Sequence, residues 1–176
     1  NLTVVSEAAP FECAGAVILP CPLVRRVVVS DPTEWLRSGD VFGALPAGRP
    51  RIVLAHGSTE DFMGEADDED GTTVSSNLID LSRLPEAEVD YVALGDWHGT
   101  KQIGPKAWYS GTPEPDRFAK GGDHDAGNAL MVEVDRGGVP GVTKIRTARF
   151  AWHRLAFDLA DDLSPEVLRE RLVSIL

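Results

Sequence analysis

The sequence contains only two cysteines, Cys13 and Cys21, and seven residues separate them. This spacing matches neither a CxxC redox motif nor the ligand pattern of a zinc ribbon. Sites that depend on thiolates are therefore disfavoured. We expect both cysteines to be reduced thiols.

Basic residues are also scarce. The chain has 17 Lys and Arg residues against 28 Asp and Glu residues, which gives a formal net charge of −11. An extended polybasic surface for nucleic acid is disfavoured, because phosphate contacts depend on clustered lysines and arginines. A nucleic-acid substrate remains compatible with this charge, since bound divalent ions can supply a local positive field.

Long apolar runs are missing as well. No stretch approaches the roughly 20 apolar residues that a membrane-spanning helix requires, and no charged segment followed by an apolar run resembles a signal peptide. We therefore predict a soluble, cytoplasmic protein without a membrane partner. Its hydrophobic fraction of 43% is sufficient for a folded core.

Short β-rich runs, punctuated by Gly and Pro, dominate the chain. Helices are few: one over Pro32–Arg37, a short turn near Ile79–Arg83, and one that begins at Pro165. The predicted fold class is α/β, tending towards a strand-rich α+β arrangement. The predicted strands are Leu2–Val5, Ala16–Leu19, Val24–Val29, Arg51–Ala55, Tyr91–Leu94, Ala107–Ser110, Ala129–Val134, Val142–Phe150 and His153–Leu159.

Both ends of the chain look cut. The first predicted strand begins almost at Asn1, and the last predicted helix is still in progress at Leu176. Apolar residues form a stripe on that helix which requires a covering surface; they are Val167, Leu168, Leu172 and Ile175. We therefore expect a fragment of a longer protein.

Two predicted strands end in polar side chains that suit a ligand site. "RIVLAHGS" delivers His56, and "YVALGDWHG" delivers Asp96 and His98. Ligand sites in α/β proteins gather at the carboxyl ends of strands, so these residues are expected to face one site. Residues two apart in an extended chain project to the same side, about 6–7 Å apart, which suits two neighbouring cations.

Other interpretations of these residues remain open. A histidine after a strand is commonly a hydrogen-bonded surface residue, and Asp96 can serve as a turn residue that bonds its own backbone. A Ser-His-Asp triad that uses Ser58 or Ser110 is weaker, because neither serine lies in a G-x-S-x-G elbow. Nitrogen and oxygen ligands without thiolate would suit Mn, Mg, Fe or Zn.

Three passages resemble motifs of the calcineurin-like metallophosphoesterases, most closely the DNA-repair-exonuclease (SbcD-type) branch. "VLAHGS" is similar to a strand that ends in a metal-ligand histidine, "DYVALGDWHG" to the Gly-His-x-His motif, and "WYSGTPEPDRF" to the Y-x-G-[ST]-x-E segment. The similarity runs from Arg51 to Phe118. It implies a β-sandwich flanked by helices, incomplete at the N-terminus, with residues 1–150 in this domain and 151–176 opening a following capping or accessory segment.

The resemblance also implies ligands and metals. His56 would coordinate the second of two divalent ions and His98 the first, and Asp96 would replace the family's other second-metal histidine. An anionic oxygen ligand favours Mn or Mg over Zn, so Mn²⁺ is the expected ion, with Mg²⁺, Fe²⁺ or Zn²⁺ as alternatives. The family's earlier motifs, which include the bridging aspartate, are expected upstream of Asn1, so this chain alone is expected to bind metal weakly and to show little catalysis.

The implied activity is two-metal hydrolysis of phosphodiester bonds by a DNA repair exonuclease, with an SMC-like ATPase as a possible partner. The substrate would be DNA or another phosphodiester. The alternatives are an enzyme for small phosphodiesters or monoesters and a non-catalytic scaffold or partner-docking module in which Asp96 marks a decayed site. The sequence makes no prediction about oligomeric state.

Two further residues are candidates for substrate binding. Arg117 could contact a phosphate, although a salt bridge to Asp116 or Glu114 is the favoured interpretation. Trp97 could stack on a base, although packing against the loop behind it is favoured.

Overall fold

The computed structural model describes residues 4–25, 28–59, 77–118, 124–154 and 165–174. Within these ranges the chain is a mixed α and β protein in which strands predominate and one α-helix, α1 (Pro165–Val173), is present. The strand-rich character agrees with the predicted class. The strands are β1 (Phe11–Cys13), β2 (Ala16–Cys21), β3 (Arg51–His56), β4 (Ser58–Thr59), β5 (Leu78–Ile79), β6 (Tyr91–Gly95), β7 (Lys101–Gly104), β8 (Ala107–Tyr109), β9 (Asn128–Glu133) and β10 (Gly141–Arg146).

The largest sheet has six strands in the order β1-β2-β3-β6-β8-β7. Its four inner strands are mutually parallel, and the edge strands β1 and β7 are antiparallel to their neighbours. Parallel strands favour continuous apolar runs, which is why β2, β3, β6 and β8 are recognisable in the sequence, and these four predictions are confirmed. Strands β9 and β10 form an antiparallel hairpin, and β4 pairs with β5 in parallel.

The two faces of the sheet are covered to different extents. One face carries the buried core, whose residues on these strands are Val17, Leu19, Cys21, Val53, Ala55, Val92, Leu94, Ala107 and Tyr109. On the other face the strand alternation places Ile52, Leu54 and His56. Leu54 is 45% exposed there, so this face is only partly covered.

Asp90 joins the amino ends of β3 and β6. The residue is completely buried, and its Oδ2 accepts the backbone N–H of Arg51 at 2.8 Å. Its Oδ1 accepts the N–H of Gly137 at 2.7 Å and the Arg136 guanidinium at 3.1 Å. Because Asp90 immediately precedes β6 and Arg51 begins β3, one carboxylate fixes both strand starts.

The predicted strand Val24–Val29 is wrong in its described residues. Val28 instead exchanges hydrogen bonds with Asn77: its N–H donates to the side-chain Oδ1 at 2.8 Å, and its carbonyl accepts the Asn77 N–H at 2.8 Å. These bonds satisfy the backbone of Val28 within a loop. The β-branched composition of this segment therefore does not produce a strand.

One predicted strand is shorter than expected, and two near the chain ends are only partly described. The strand predicted over Val142–Phe150 ends at Arg146 as β10. The predictions Leu2–Val5 and His153–Leu159 lie partly outside the described residues, and residues 4, 5, 153 and 154 are not in strands.

The predicted helix over Pro32–Arg37 is a shorter 3₁₀ helix, Glu34–Arg37. Asp31 accepts the N–H and the hydroxyl of Thr33 at 2.9 and 2.7 Å and pairs with Arg37 at 2.9 Å, so it stabilises this turn. A second 3₁₀ helix, Leu81–Arg83, matches the turn predicted there.

Helix α1 confirms the helix predicted to begin at Pro165. The described members of its apolar stripe are 40–44% exposed; they are Val167, Leu168 and Leu172. Ile175 lies outside the described residues. Among the described helices, none has the length and apolar content needed to cross a membrane.

Candidate functional site

The carboxyl ends of β3 and β6 meet because the two strands are adjacent and parallel. His56, the last residue of β3, is paired in register with Gly95, the last residue of β6. Asp96 follows immediately, and the turn that follows β6 carries His98. All three predicted ligands line one cavity of about 240 Å³; its other lining residues are Leu94, Gly95, Trp97, Ser110, Gly111 and Thr112.

His56 and Asp96 lie close to each other in this site. The His56 Nε2 lies 3.6 Å from the Asp96 Oδ1, and the two side chains are 53% and 44% exposed. Two ligands at about 2.1 Å from one ion are about 3.0 Å apart at right angles and about 3.4 Å apart at the tetrahedral angle. A small closing movement would therefore allow both atoms to contact one cation.

Ser58 orients the carboxylate of Asp96. Its hydroxyl donates to Asp96 Oδ2 at 3.0 Å, so that Oδ1 is left facing His56. Hydrogen bonds of this kind from a neighbouring residue fix the direction of a metal-binding carboxylate. The sequence did not indicate this role, because Ser58 and Asp96 are 38 positions apart in the chain.

The backbone at the end of β6 is unusual. Asp96 has φ of 111°, a conformation that residues with a Cβ rarely adopt. Such strain persists only where surrounding structure holds it, and it concentrates at functional sites. Gly95 is needed beside it, because a Cβ at that position would lie 2.8 Å from His56 Nδ1. The Gly-Asp pair therefore brings the imidazole and the carboxylate close together.

His98 belongs to a second cluster. Its Nδ1 lies 2.8 Å from Asp116 Oδ2 and 2.9 Å from Arg117 Nη2, and Arg117 also pairs with Asp116 at 3.2 Å. One ring nitrogen cannot both donate to the carboxylate and accept from the guanidinium. A neutral imidazole that binds a metal through Nε2 carries its proton on Nδ1, and Asp116 is then its acceptor.

Asp116 is suited to this acceptor role because it stays ionised. Partial burial acts against the charged form, but hydrogen bonds from Arg117 and His98 outweigh it, and the pKa of Asp116 lies below its usual range. The sequence predicts Asp116 only as a salt-bridge partner of Arg117. The contact with His98 joins residues 18 positions apart, and no local pattern signals it.

The loop that carries His98 is held by the segment after β8. The N–H of Thr112 donates to the His98 carbonyl at 2.9 Å. Gly111 passes so close to this loop that a Cβ there would lie 2.6 Å from the same carbonyl oxygen. The position of His98 is therefore set by backbone contacts.

The two predicted substrate residues occupy the favoured alternative positions. Arg117 forms the predicted salt bridge with Asp116, and its side chain is 48% exposed. Trp97 is half-buried against the hydrophobic core, with its ring centroid 6.2 Å from that of His124 in an edge-on arrangement. Trp97 also lines the candidate cavity.

The geometry does not support a Ser-His-Asp triad. The Ser58 hydroxyl donates to Asp96, and the Ser110 hydroxyl donates to the Gly111 carbonyl at 3.4 Å. A nucleophilic serine requires a hydrogen bond to its base. Among the hydrogen bonds of the described residues, neither hydroxyl is bonded to a histidine.

The donor chemistry fits a divalent cation, although the ligand set is small. Imidazole nitrogens and carboxylate oxygens suit Mn²⁺, Mg²⁺, Fe²⁺ and Zn²⁺, and the His56–Asp96 separation fits two ligands of one ion. Within the described ranges, however, no three His, Cys, Asp or Glu side chains are grouped closely enough to hold a metal. The site thus offers two ligands for one ion, His56 and Asp96, and His98 lines the same cavity.

Comparison with known proteins adds no family. The chain matches no protein-family model, and no curated protein is significantly similar to it. The site and the three sequence motifs are therefore the features that bear on function.

Proposed function

We propose that this chain contributes part of the active site of a metal-dependent phosphoesterase that hydrolyses phosphodiester bonds, with DNA as the favoured substrate. The observation that carries the proposal is the meeting of two parallel strand ends. There His56 and Asp96 lie 3.6 Å apart beside a cavity that His98 also lines. In the proposed fold, the sheet forms part of a β-sandwich flanked by helices.

Each ligand has a defined role in this proposal. His56 Nε2 and Asp96 Oδ1 would hold one divalent ion, with Ser58 fixing the carboxylate through Oδ2. His98 would hold the other ion through Nε2, with Asp116 on Nδ1. The mixed nitrogen and oxygen donors favour Mn²⁺.

Bound metals would supply Lewis acidity, activating a water molecule and offsetting charge on the scissile phosphate. The protein residues position the ions and the substrate. Arg117 is half-exposed beside His98, and exchanging its contact with Asp116 for a phosphate oxygen would bring a bidentate donor to the substrate. The remaining ligands and an SMC-like ATPase partner are proposed to come from outside this chain, in the cytoplasm.

Metal binding is the direct test. Mn²⁺ is titrated into the 176-residue chain, and binding is measured as the decrease in the electron paramagnetic resonance signal of the free ion. We expect weak stoichiometric binding. Removing a ligand with His56→Ala is expected to weaken binding at least about tenfold. His153→Ala removes an exposed histidine that does not line the cavity and is the matched control. Equal affinity in both variants would exclude His56 as a ligand.

Hydrolysis is tested with the natural polypeptide at its full length. Phosphodiester cleavage in Mn²⁺ is compared between wild type and His98→Ala, on single-stranded DNA and on bis-p-nitrophenyl phosphate. We expect the variant to lose activity on both substrates. Activity that is equal in the two proteins would overturn the assignment, and cleavage of the small diester alone would favour the small-molecule alternative.

A further inference from the structure

An exposed aromatic and cationic surface lies beside the candidate site. The rings of Phe118 and Trp152 are 5.0 Å apart in an edge-on arrangement, and the Arg154 guanidinium lies 5.3 Å from the Phe118 ring centroid. We call these three residues the aromatic platform. Phe118 is 40% and Trp152 52% exposed, so ring surface is available to a ligand.

The platform is held in place by specific contacts. The Trp152 indole donates to the Pro115 carbonyl at 2.8 Å. Glu114 accepts the backbone N–H groups of Arg149 and Phe150 at 2.8 and 3.2 Å. Two chain segments, 114–118 and 149–154, are thereby joined, and large apolar rings are kept exposed on a fixed backbone.

The stretch of sequence that carries Trp152 is basic, although the net charge of the chain is −11 and the adjoining 114–118 segment carries Glu114 and Asp116. From Arg136 to Arg154 the sequence has five Lys and Arg residues and no Asp or Glu. Three of these cations are bonded to other parts of the fold, and Arg149 and Arg154 are the two at the platform; the three are Arg136, Lys144 and Arg146. In the described part of the chain, no carboxylate pairs with the guanidinium of Arg149 or Arg154. Exposed arginines interleaved with aromatic rings match a ligand that combines phosphates with flat bases.

Arg117 connects the platform to the candidate site. It directly precedes Phe118, and its Nη2 lies 2.9 Å from the Nδ1 of His98. His98 lines the candidate cavity, so a ligand that contacts both the platform and Arg117 would approach the His98 side of the site.

We propose that the aromatic platform binds unpaired bases of a single-stranded nucleic acid and directs the adjoining backbone towards the His98 side of the site. Unstacked bases offer faces to exposed rings, whereas bases in a duplex are stacked on each other. The strong net negative charge of the chain also acts against long contact with a duplex. The directing role rests on the proposed function, but binding of bases by the platform does not.

Binding is measured in EDTA, so that neither metal nor hydrolysis is required. Fluorescence anisotropy follows a labelled oligothymidylate titrated with the 176-residue chain. Because an aromatic side chain contributes about 1–3 kcal/mol per stacked base, Trp152→Ala is expected to weaken binding about 5- to 150-fold. Trp152→Phe keeps a ring and is expected to restore most of the affinity.

A charge-matched pair of variants tests the cation. Arg154→Ala removes the platform guanidinium, and Arg49→Ala removes an arginine that pairs with Glu12 beside the amino end of β3. We expect Arg154→Ala to weaken binding and to reduce its salt dependence, because fewer counterions are released on binding. Arg49→Ala is expected to leave both unchanged.

Three results would overturn the proposal: no saturable binding by the wild type, equal affinity of wild type and Trp152→Ala, or tighter binding of a duplex than of the single strand. Circular dichroism checks that each variant is folded, and Arg154→Ala provides an independent test if Trp152→Ala does not fold. Loss of oligonucleotide binding alongside intact Mn²⁺ binding would refute the platform and leave the phosphoesterase proposal standing. Oligonucleotide binding without Mn²⁺ binding would refute only the metal site.

Discussion

Replacing Asp90 with alanine should destabilise the whole sheet. The carboxylate is completely buried and accepts two backbone N–H groups and one guanidinium. Each buried donor left without an acceptor costs about 1–3 kcal/mol, and breaking a buried ion pair costs about 3–5 kcal/mol. Arg136 keeps its bonds to Glu88 and to the Ala87 carbonyl, which moderates the loss. We therefore expect a decrease in unfolding free energy of about 3–5 kcal/mol.

Urea denaturation followed by circular dichroism measures this decrease by linear extrapolation. Glu12→Ala is the matched control, since it breaks an ion pair whose members are 43% and 53% exposed. Exposed pairs contribute about 0–1 kcal/mol, so this variant should be nearly as stable as wild type. A decrease below about 1 kcal/mol for Asp90→Ala would show that the carboxylate does not hold the strand starts together.

The remaining predictions concern a thiol, a glycine and an ion pair. Burial is the main cause that raises the pKa of Cys21 to about 11. At about pH 8, iodoacetamide should therefore modify Cys21 on the order of a hundredfold more slowly than an ordinary thiol. Mass spectrometry measures the rate of modification, with the exposed Cys13 as the reference. Gly111→Ala, at φ of +73°, should lower the unfolding free energy by about 1–3 kcal/mol in urea titrations. The hydrogen bond from Lys144 is the main cause of the lowered pKa of Asp125. This ion pair stabilises the folded state when Asp125 is ionised, and the stabilisation is lost as the pH falls through the lowered pKa of Asp125. In thermal melts Lys144→Gln should therefore be destabilising at about pH 7 and not at about pH 2.

The inner strands were predictable from sequence because their signal is local. Continuous apolar runs such as those of β3 and β6 are typical of parallel strands, and the polar residues that follow them marked the candidate site. The strand order was not predictable in this way. It depends on contacts between distant segments, and the 39-position separation between Arg51 and Asp90 in the bond that fixes β3 beside β6 is one example.

The same limit explains the errors and omissions. Val24–Val29 has the β-branched composition of a strand, but the distant Asn77 takes the hydrogen bonds of Val28. Asp116 and Ser58 act on predicted ligands across 18 and 38 positions, and neither contact leaves a periodic pattern. Local sequence thus identified which residues could act, while the residues that orient them emerged only from tertiary structure.

The exposure of the His56–Asp96 pair follows from its position in the sheet. Because side chains alternate along a strand, His56 lies on the same face of β3 as Leu54, the face that is only partly covered. Charges in this setting are close to water, where the effective dielectric constant is high and attraction to a cation is weak. A surface packed over Leu54 would also lower the dielectric constant around His56, two residues further along the strand. The affinity of the His56–Asp96 pair for a metal and the coverage of this face are therefore physically coupled. A measured metal affinity constrains how far the face is covered, and a measured coverage constrains the affinity.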